Sequence, residues 1–283
     1  MVYLLLSIVL YSLNNILWKK NISDVSITFL VSYRALFTTL ISVSIALYFH
    51  SFDSITMYDI FRTSLGSVFG VIGLLSMLAV VKKASLYWVS IYNLLGIFFT
   101  SCYLIIVEKF DISNCILGAF LILLGFVYYI VTNENKHLRM TIQQHLLLLV
   151  MSLSFSVSSL IHWKNLVKEI PSLVILSNQE LVVFLVTFLL SCLSQKTNFF
   201  AERYKKYFTR VALMACVIFF ALFFSFKGLK LTNPIISSIV FLASPLTTMV
   251  LNLVIFKEKL SKHNIVALLI FLIGVFQLHY HTS

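Results

Sequence analysis

The most constraining feature of this chain is a succession of long apolar runs, at residues 2–18, 26–50, 59–81, 85–107, 114–132, 143–163, 172–195, 207–229, 233–256 and 262–280. Roughly 18 apolar residues in a row suffice to cross a bilayer as a helix. None of these runs alternates apolar and polar side chains over the ~10 positions of an outer-membrane strand, so a β-barrel is excluded. A soluble core cannot take up so much apolar side chain either. Hydrophobic residues make up 60% of the chain and charged residues 11%, against about 45–50% and 25% in ordinary soluble domains. The sequence predicts an all-α polytopic membrane protein with ten transmembrane helices.

Ten spans leave only short connections, the longest covering residues 195–206. No soluble domain, nucleotide-binding cassette or large ligand module fits between them. A net charge of +11 would point to nucleic acid in a soluble protein. Here the basic residues cap the spans, where they set orientation and meet anionic lipid headgroups. The expected partner is the lipid bilayer, with no nucleic acid. Fourteen Lys and Arg residues fall on the side reached after the first span, six on the side of both termini, and Arg34 lies within a span. By the positive-inside rule, that count puts both termini outside the cytoplasm.

The four cysteines (Cys102, Cys115, Cys192 and Cys216) lie in apolar runs with no C-x-x-C spacing, which reads as small buried packing residues and not as disulfides or zinc ligands. Residues 2–18 lack a basic leader and a small-residue cleavage site, so they read as a retained first span. Abundant Phe, Leu, Ile, Lys and Asn fit an AT-rich genome and point to a bacterial cytoplasmic (inner) membrane.

The runs also repeat. Trp18-Lys19 returns as Trp163-Lys164 after 145 residues, and Arg34 answers Glu180 after 146. Glu108-Lys109-Phe110, Asn114 and Gly125 answer Glu258-Lys259-Leu260, Asn264 and Gly274 at spacings of 150 and then 149. Two copies divide the chain into 1–135 and 136–283, with five spans each. An odd number of spans per copy turns the second copy upside down, the inverted-topology repeat of many secondary transporters.

Several of the doubled positions form an ordered set. The second span carries Arg34-Ala35-Leu36, the ninth carries Pro245, Glu108 and Glu258 close spans four and nine, and Gly118, Gly125 and Gly274 mark helices five and ten. In this order the chain resembles the drug/metabolite transporter superfamily in its EamA-like ten-helix form, over essentially its whole length. The resemblance implies two inverted five-helix bundles around a central cavity. That cavity would be lined by helices one, three, four, six, eight and nine, with transport by alternating access. It also implies cytoplasmic termini, opposite to the charge count. Leu95 stands where many relatives carry a proline matching Pro245.

Arg34 and Glu180 each lie about nine residues into their spans, ~13 Å deep and close to the middle of a ~30 Å hydrocarbon core. A charge there costs about 2.5–3.5 kcal/mol on insertion scales, so both should face inward, paired with each other or with substrate, carbonyls or water. Arg34 is then a gate latch or substrate-carboxylate anchor, and Glu180 a gating or proton-coupling group. The plainer alternative is a buried ion pair that only holds the halves in register. Asn14, Trp88, Tyr92 and Asn93 are candidate substrate contacts, Trp88 and Tyr92 sharing a helical face. Close packing is their alternative, while Trp18 and Trp163 read as interface anchors. Ser238 and Pro245, with Ser237, Ser244, Thr247 and Thr248, suit a kinked cavity-lining helix or a small-residue packing face.

The histidines, including His145 and His162 bracketing span six, offer no H-E-x-x-H spacing, and no Walker or G-x-G-x-x-G sequence occurs. No enzyme chemistry, metal or cofactor is expected. The expected function is secondary active transport of a small organic solute, such as an amino acid or related metabolite, driven by protons or an exchange solute. The alternatives are a carrier of a nucleotide-linked or phosphorylated metabolite, which should bury more cations than Arg34, and a non-transporting membrane protein.

Overall fold

The computed structural model describes residues 1–21, 26–81, 86–109, 113, 116–133, 140–193, 207–244, 246–248, 250–251 and 262–282. These residues form ten helices and no strand: α1 (Val2–Asn21), α2 (Ile27–Tyr48), α3 (Met57–Val81), α4 (Leu86–Ile106), α5 (Ile116–Asn133), α6 (Ile142–Val167), α7 (Ser172–Leu193), α8 (Phe208–Leu231), α9 (Pro234–Phe241) and α10 (Lys262–Thr282). By length and composition, α2, α3, α6, α7 and α8 suffice to cross a membrane, and the others carry shorter apolar stretches.

Local chemistry sets the ends. Ser26 caps α2 by accepting from the Phe29 amide at 3.3 Å, and Thr141 and Gln144 close a reciprocal capping box on α6. Asn233 caps α9, with Pro234 in its first turn. With eight glycines in the chain, the left-handed position beyond a helix falls to His50, Lys109 and Glu169 instead.

The ninth span departs from expectation. The sequence predicts one continuous helix over 233–256, but α9 gives way to a turn at Leu242 and Ala243 with i→i−3 bonds to Ile239 and Val240, and helical bonding resumes with the Thr247 amide on the Ala243 carbonyl. A proline ring at 245 would clash with the carbonyl of Phe241, four residues back, which accounts for the break. Pro245 itself lies outside the described residues, as do Asn114 and Glu258-Lys259-Leu260.

The most extensive packing is between α3 and α6, α2 and α7, α5 and α10, and α1 and α8. Side-chain contacts give the directions. Gly66, Gly70 and Gly73 of α3 face His162, Ser158 and Phe155 of α6 in reverse order, so these two run antiparallel. Gly125 meets Ala267 and Phe271 while Gly274 meets Gly118 and Ile122, so α5 and α10 are antiparallel too. In contrast, Ser152 and Ser156 bond the carbonyls of Tyr92 and Gly96 at 2.6 and 2.9 Å, which makes α4 and α6 parallel. Serine bonds of this kind join spans where apolar contact alone supplies little drive. Trp18 corrects its sequence reading: at 5% exposure it packs with Phe29, Leu30 and Val211 in the core and is no interface anchor. Cys192 and Cys216 prove exposed, so they are not the buried packing residues expected.

Candidate functional site

The α2–α7 contact carries the two deepest charges. Arg34 is the eighth residue of α2 and Glu180 the ninth of α7. Arg34 Nη1 lies 2.9 Å from Glu180 Oε2, with the side chains 4% and 2% exposed. The apolar residues Phe29, Leu30, Val31, Ala35 and Val183 surround this level. Two hydroxyl links pin the helices, Ser32 to Thr187 at 2.8 Å and Thr38 to the Ala215 carbonyl on α8 at 3.4 Å. The charged contact lacks hydrogen-bond alignment at Oε2, and Arg34 Nε has no hydrogen-bond partner among the described residues. The pair therefore neutralises itself while Arg34 Nε keeps a donor for a third group. Tyr11 on α1 is near enough to feel both charges, and Asn14, one turn on, is buried with its Oδ1 unpartnered among the described residues.

Trp88 and Tyr92 occupy a different place. The Tyr92 hydroxyl hydrogen-bonds His145 Nδ1 at 2.8 Å, and the Trp88 ring stands edge-on to the same imidazole at 5.7 Å. Both rings pack beside Val80, Val89, Leu148 and Met151, where α3, α4 and α6 meet. Asn93 and Ser238 are half-buried on α4 and α9. Ser12 on α1 donates to the Ser244 carbonyl at 3.1 Å and so ties α1 to the chain beyond α9.

A cluster the sequence reading missed joins the ends of α4 and α6. Lys164 Nζ is 2.7 Å from Glu108 Oε1, and the Tyr103 hydroxyl reaches the same oxygen at 3.1 Å and bonds Lys164. Glu108 and Lys164 mark the repeat in sequence, but the parallel pairing of α4 with α6 that brings them together leaves no sequence signal. The Lys164 ammonium, and after it the Tyr103 hydroxyl, hold the Glu108 carboxyl below its usual range. A lowered folded-state pKa adds stability above the ordinary glutamate value of ~4.3, and that stability is lost as pH falls through the lowered value. The melting difference between wild type and Glu108→Gln should be present at pH 7 and vanish below that range. Solvent exposure keeps it small, and a difference that persists at the lowest pH would contradict the assignment.

Residues 143–279, which run from the first turn of α6 into α10, match the family model of the EamA-like transporter family. Over this stretch, just under half of its length, the chain is similar to the EamA-like transporter family. One solved structure, described only as "Crystal structure of protein", matches with a TM-score of 0.75 and 13% identity, covering 100% of this chain and 97% of that one. At that identity the likeness shows the fold alone. No curated protein matches the chain. The EamA-like match and the apolar helices indicate an integral membrane protein, and the family it resembles is one of membrane transporters. EamA-like proteins are transporters and not enzymes in general.

Proposed function

We propose that this EamA-like protein is a secondary active transporter of a small organic solute, an amino acid or related metabolite, working by alternating access between inverted five-helix repeats at 1–135 and 136–283. The observation that carries this is the Arg34–Glu180 contact. These residues are counterparts in the two copies, and counterparts that touch must straddle a two-fold axis. The glycine contacts of α5 and α10 support the same axis. Gly118, Ile122 and Gly125 map onto Ala267, Phe271 and Gly274 at one spacing of 149, and each set meets the other reciprocally. Adding five also converts the α3–α6 pair into α8–α1.

An axis through a neutralised charge pair places bistable electrostatics at the junction of the halves. A solute bearing a carboxylate or ammonium competes for one partner there, and releasing the other loosens the junction. Asn14 adds a neutral acceptor, while Trp88, Tyr92, Asn93 and Ser238 would contribute from α4 and α9; Pro245, the gating candidate in the sequence, lies outside the described residues.

The test is thermal-shift screening of purified protein against amino acids and related metabolites, followed by counterflow in proteoliposomes. A solute that stabilises wild type but not Arg34→Ala, and exchanges only through wild type, is expected. Equal stabilisation of both proteins would remove Arg34 from the site, and absence of counterflow for every stabilising solute would remove transport of this class. Proton coupling through Glu180 requires that uptake lose its pH dependence in Glu180→Gln.

A further inference from the structure

α1 and α8 pack antiparallel, with Leu4 against Gly228 and the Ser7 hydroxyl donating to the Ala221 carbonyl at 2.8 Å, so the start of α1 meets the end of α8. Lys227 stands exposed there. Its ammonium lies over two aromatic faces, 4.8 Å from the centre of the Phe223 ring and 5.9 Å from that of Tyr3. Lys164 and Lys230, at the same end of the molecule, are each paired with a carboxylate, Glu108 and Glu169. Lys227 has no carboxylate within ion-pair reach among the described residues. Ring faces hold an ammonium in place without cancelling its charge.

A ladder of rings continues from this lysine along the outside of the helix pair. Tyr3 stacks on Phe224 at 6.1 Å, and Phe224 stacks on Phe220 at 6.3 Å. Phe220, two turns from Lys227 on the same face, is 49% exposed, and Leu6, one turn on from Tyr3, is 44% exposed. Ser225, which reaches the Tyr11 hydroxyl beside the central charge pair, lies ~200° around α8 from Lys227. The face with Lys227 therefore points away from the centre and toward lipid. α8 has 24 residues, a length of ~36 Å against ~30 Å of hydrocarbon. Its last turns thus reach the level of the headgroup phosphates, and the long lysine stem carries the charge there.

We propose that Lys227 and the Tyr3–Phe224–Phe220 ladder form a binding site for one anionic phospholipid. The headgroup phosphate meets the uncompensated ammonium, and an acyl chain lies along the ladder and Leu6. The rings fix the ammonium in advance, so less side-chain freedom is lost when the phosphate arrives. A zwitterionic headgroup fits less well. Its own cation finds no free carboxylate, since Glu169 is engaged by Lys230, and the rings that could receive it already hold Lys227. The site lies outside the Arg34–Glu180 junction and does not depend on which solute the chain carries.

The test follows thermal unfolding of the purified full-length protein in a neutral detergent. The probes are dioleoyl phosphatidylglycerol, dioleoyl phosphatidylcholine and glycerol 3-phosphate, the last being the phosphate without chains. Phosphatidylglycerol is expected to half-saturate its stabilisation at about one-fifth the concentration of phosphatidylcholine, the weight of one lysine at an anionic surface. Glycerol 3-phosphate should produce no shift. Lys227→Gln should bring the two lipid curves together, while Lys227→Arg, which keeps the charge over the rings, should hold them apart. Lys168→Gln removes the same charge at the same end and should leave the preference intact. Phe220→Ala should weaken both lipids. Coincident curves in wild type overturn the site, as does a preference that survives Lys227→Gln. A preference lost equally in Lys168→Gln would reduce it to general charge attraction and overturn it too. A shift with glycerol 3-phosphate as large as with the lipid would make this a free-phosphate site, and unchanged binding in Phe220→Ala would remove the ladder from it.

Discussion

Arg34→Ala is expected to lower the unfolding free energy by about 3–5 kcal/mol, since it leaves Glu180 as an uncompensated charge in an apolar setting. Glu180 is 1% exposed, on a helix packed against α2, and no neighbouring water can replace the guanidinium without opening the α2–α7 contact. Glu180→Ala strands Arg34 and should cost a similar amount. The two losses should not add. Removing both charges leaves nothing unpaired, and a shape-preserving apolar pair such as Arg34→Met with Glu180→Leu should return close to wild-type stability or exceed it. Denaturant titration in detergent of wild type, Arg34→Ala, Glu180→Ala and the double alanine variant measures the cycle. Strictly additive losses would mean that the 2.9 Å contact is not an energetic pair. Transport assays on the Arg34→Met, Glu180→Leu double variant separate the two roles considered for these residues. A register-holding pair is dispensable once replaced by apolar packing, whereas a gate or anchor is not. A stable double variant with no transport is expected, and one that transports normally would reduce the pair to architecture.

The sequence made the helices and the central pair legible because both follow from the solvent. In hydrocarbon the backbone must bond within its own segment, so the apolar runs become helices near their predicted ends, the ninth excepted. A charge at mid-span must find an opposite charge, and Arg34 finds Glu180, 146 residues on, at 2.9 Å. What the sequence hid depends on which helices become neighbours. Trp18 has the composition of an interface anchor, yet it is buried because α1 lies against the α2 cluster. No sequence spacing announces that α6 brings His145 against the Tyr92 hydroxyl. His162 looked like the end of span six, but α6 continues to Val167 and takes the imidazole into the interior. Glu108 and Lys164 are 56 residues apart, and only the parallel approach of α4 to α6 joins them. The break after Phe241 was signalled by Pro245, and reading through it treated the proline as a kink when the helix turns first.

Gly274→Val should be among the most damaging single substitutions in the chain, costing about 1–3 kcal/mol or more as an overpacked contact. Any Cβ at this position lies 2.8 Å from the Ile122 backbone nitrogen and 3.0 Å from the Gly118 carbonyl oxygen. Those atoms belong to the α5 backbone, so no rotamer change relieves the clash and α5 and α10 must separate. Separation forfeits the close van der Waals packing on which membrane helices rely, since lipid offers them no hydrophobic drive to associate. Gly70→Ala is the natural control. Its Cβ would meet only the Ser158 hydroxyl, at 3.2 Å, and a hydroxyl can rotate away. Thermal unfolding in detergent should rank Gly274→Val far below wild type and Gly70→Ala close to it. Gly125 sharpens the comparison, because its Cβ would meet the α10 backbone at Ala267 and Phe271 at 3.0 and 3.1 Å, the mirror of the Gly274 contacts. If α5 and α10 are related by a two-fold axis, Gly125→Val and Gly274→Val probe one interface from its two sides and should lose comparable stability. A severe loss at one position with tolerance at the other would mean that the helices do not meet symmetrically, and the inverted-repeat reading of the whole chain would lose its clearest support.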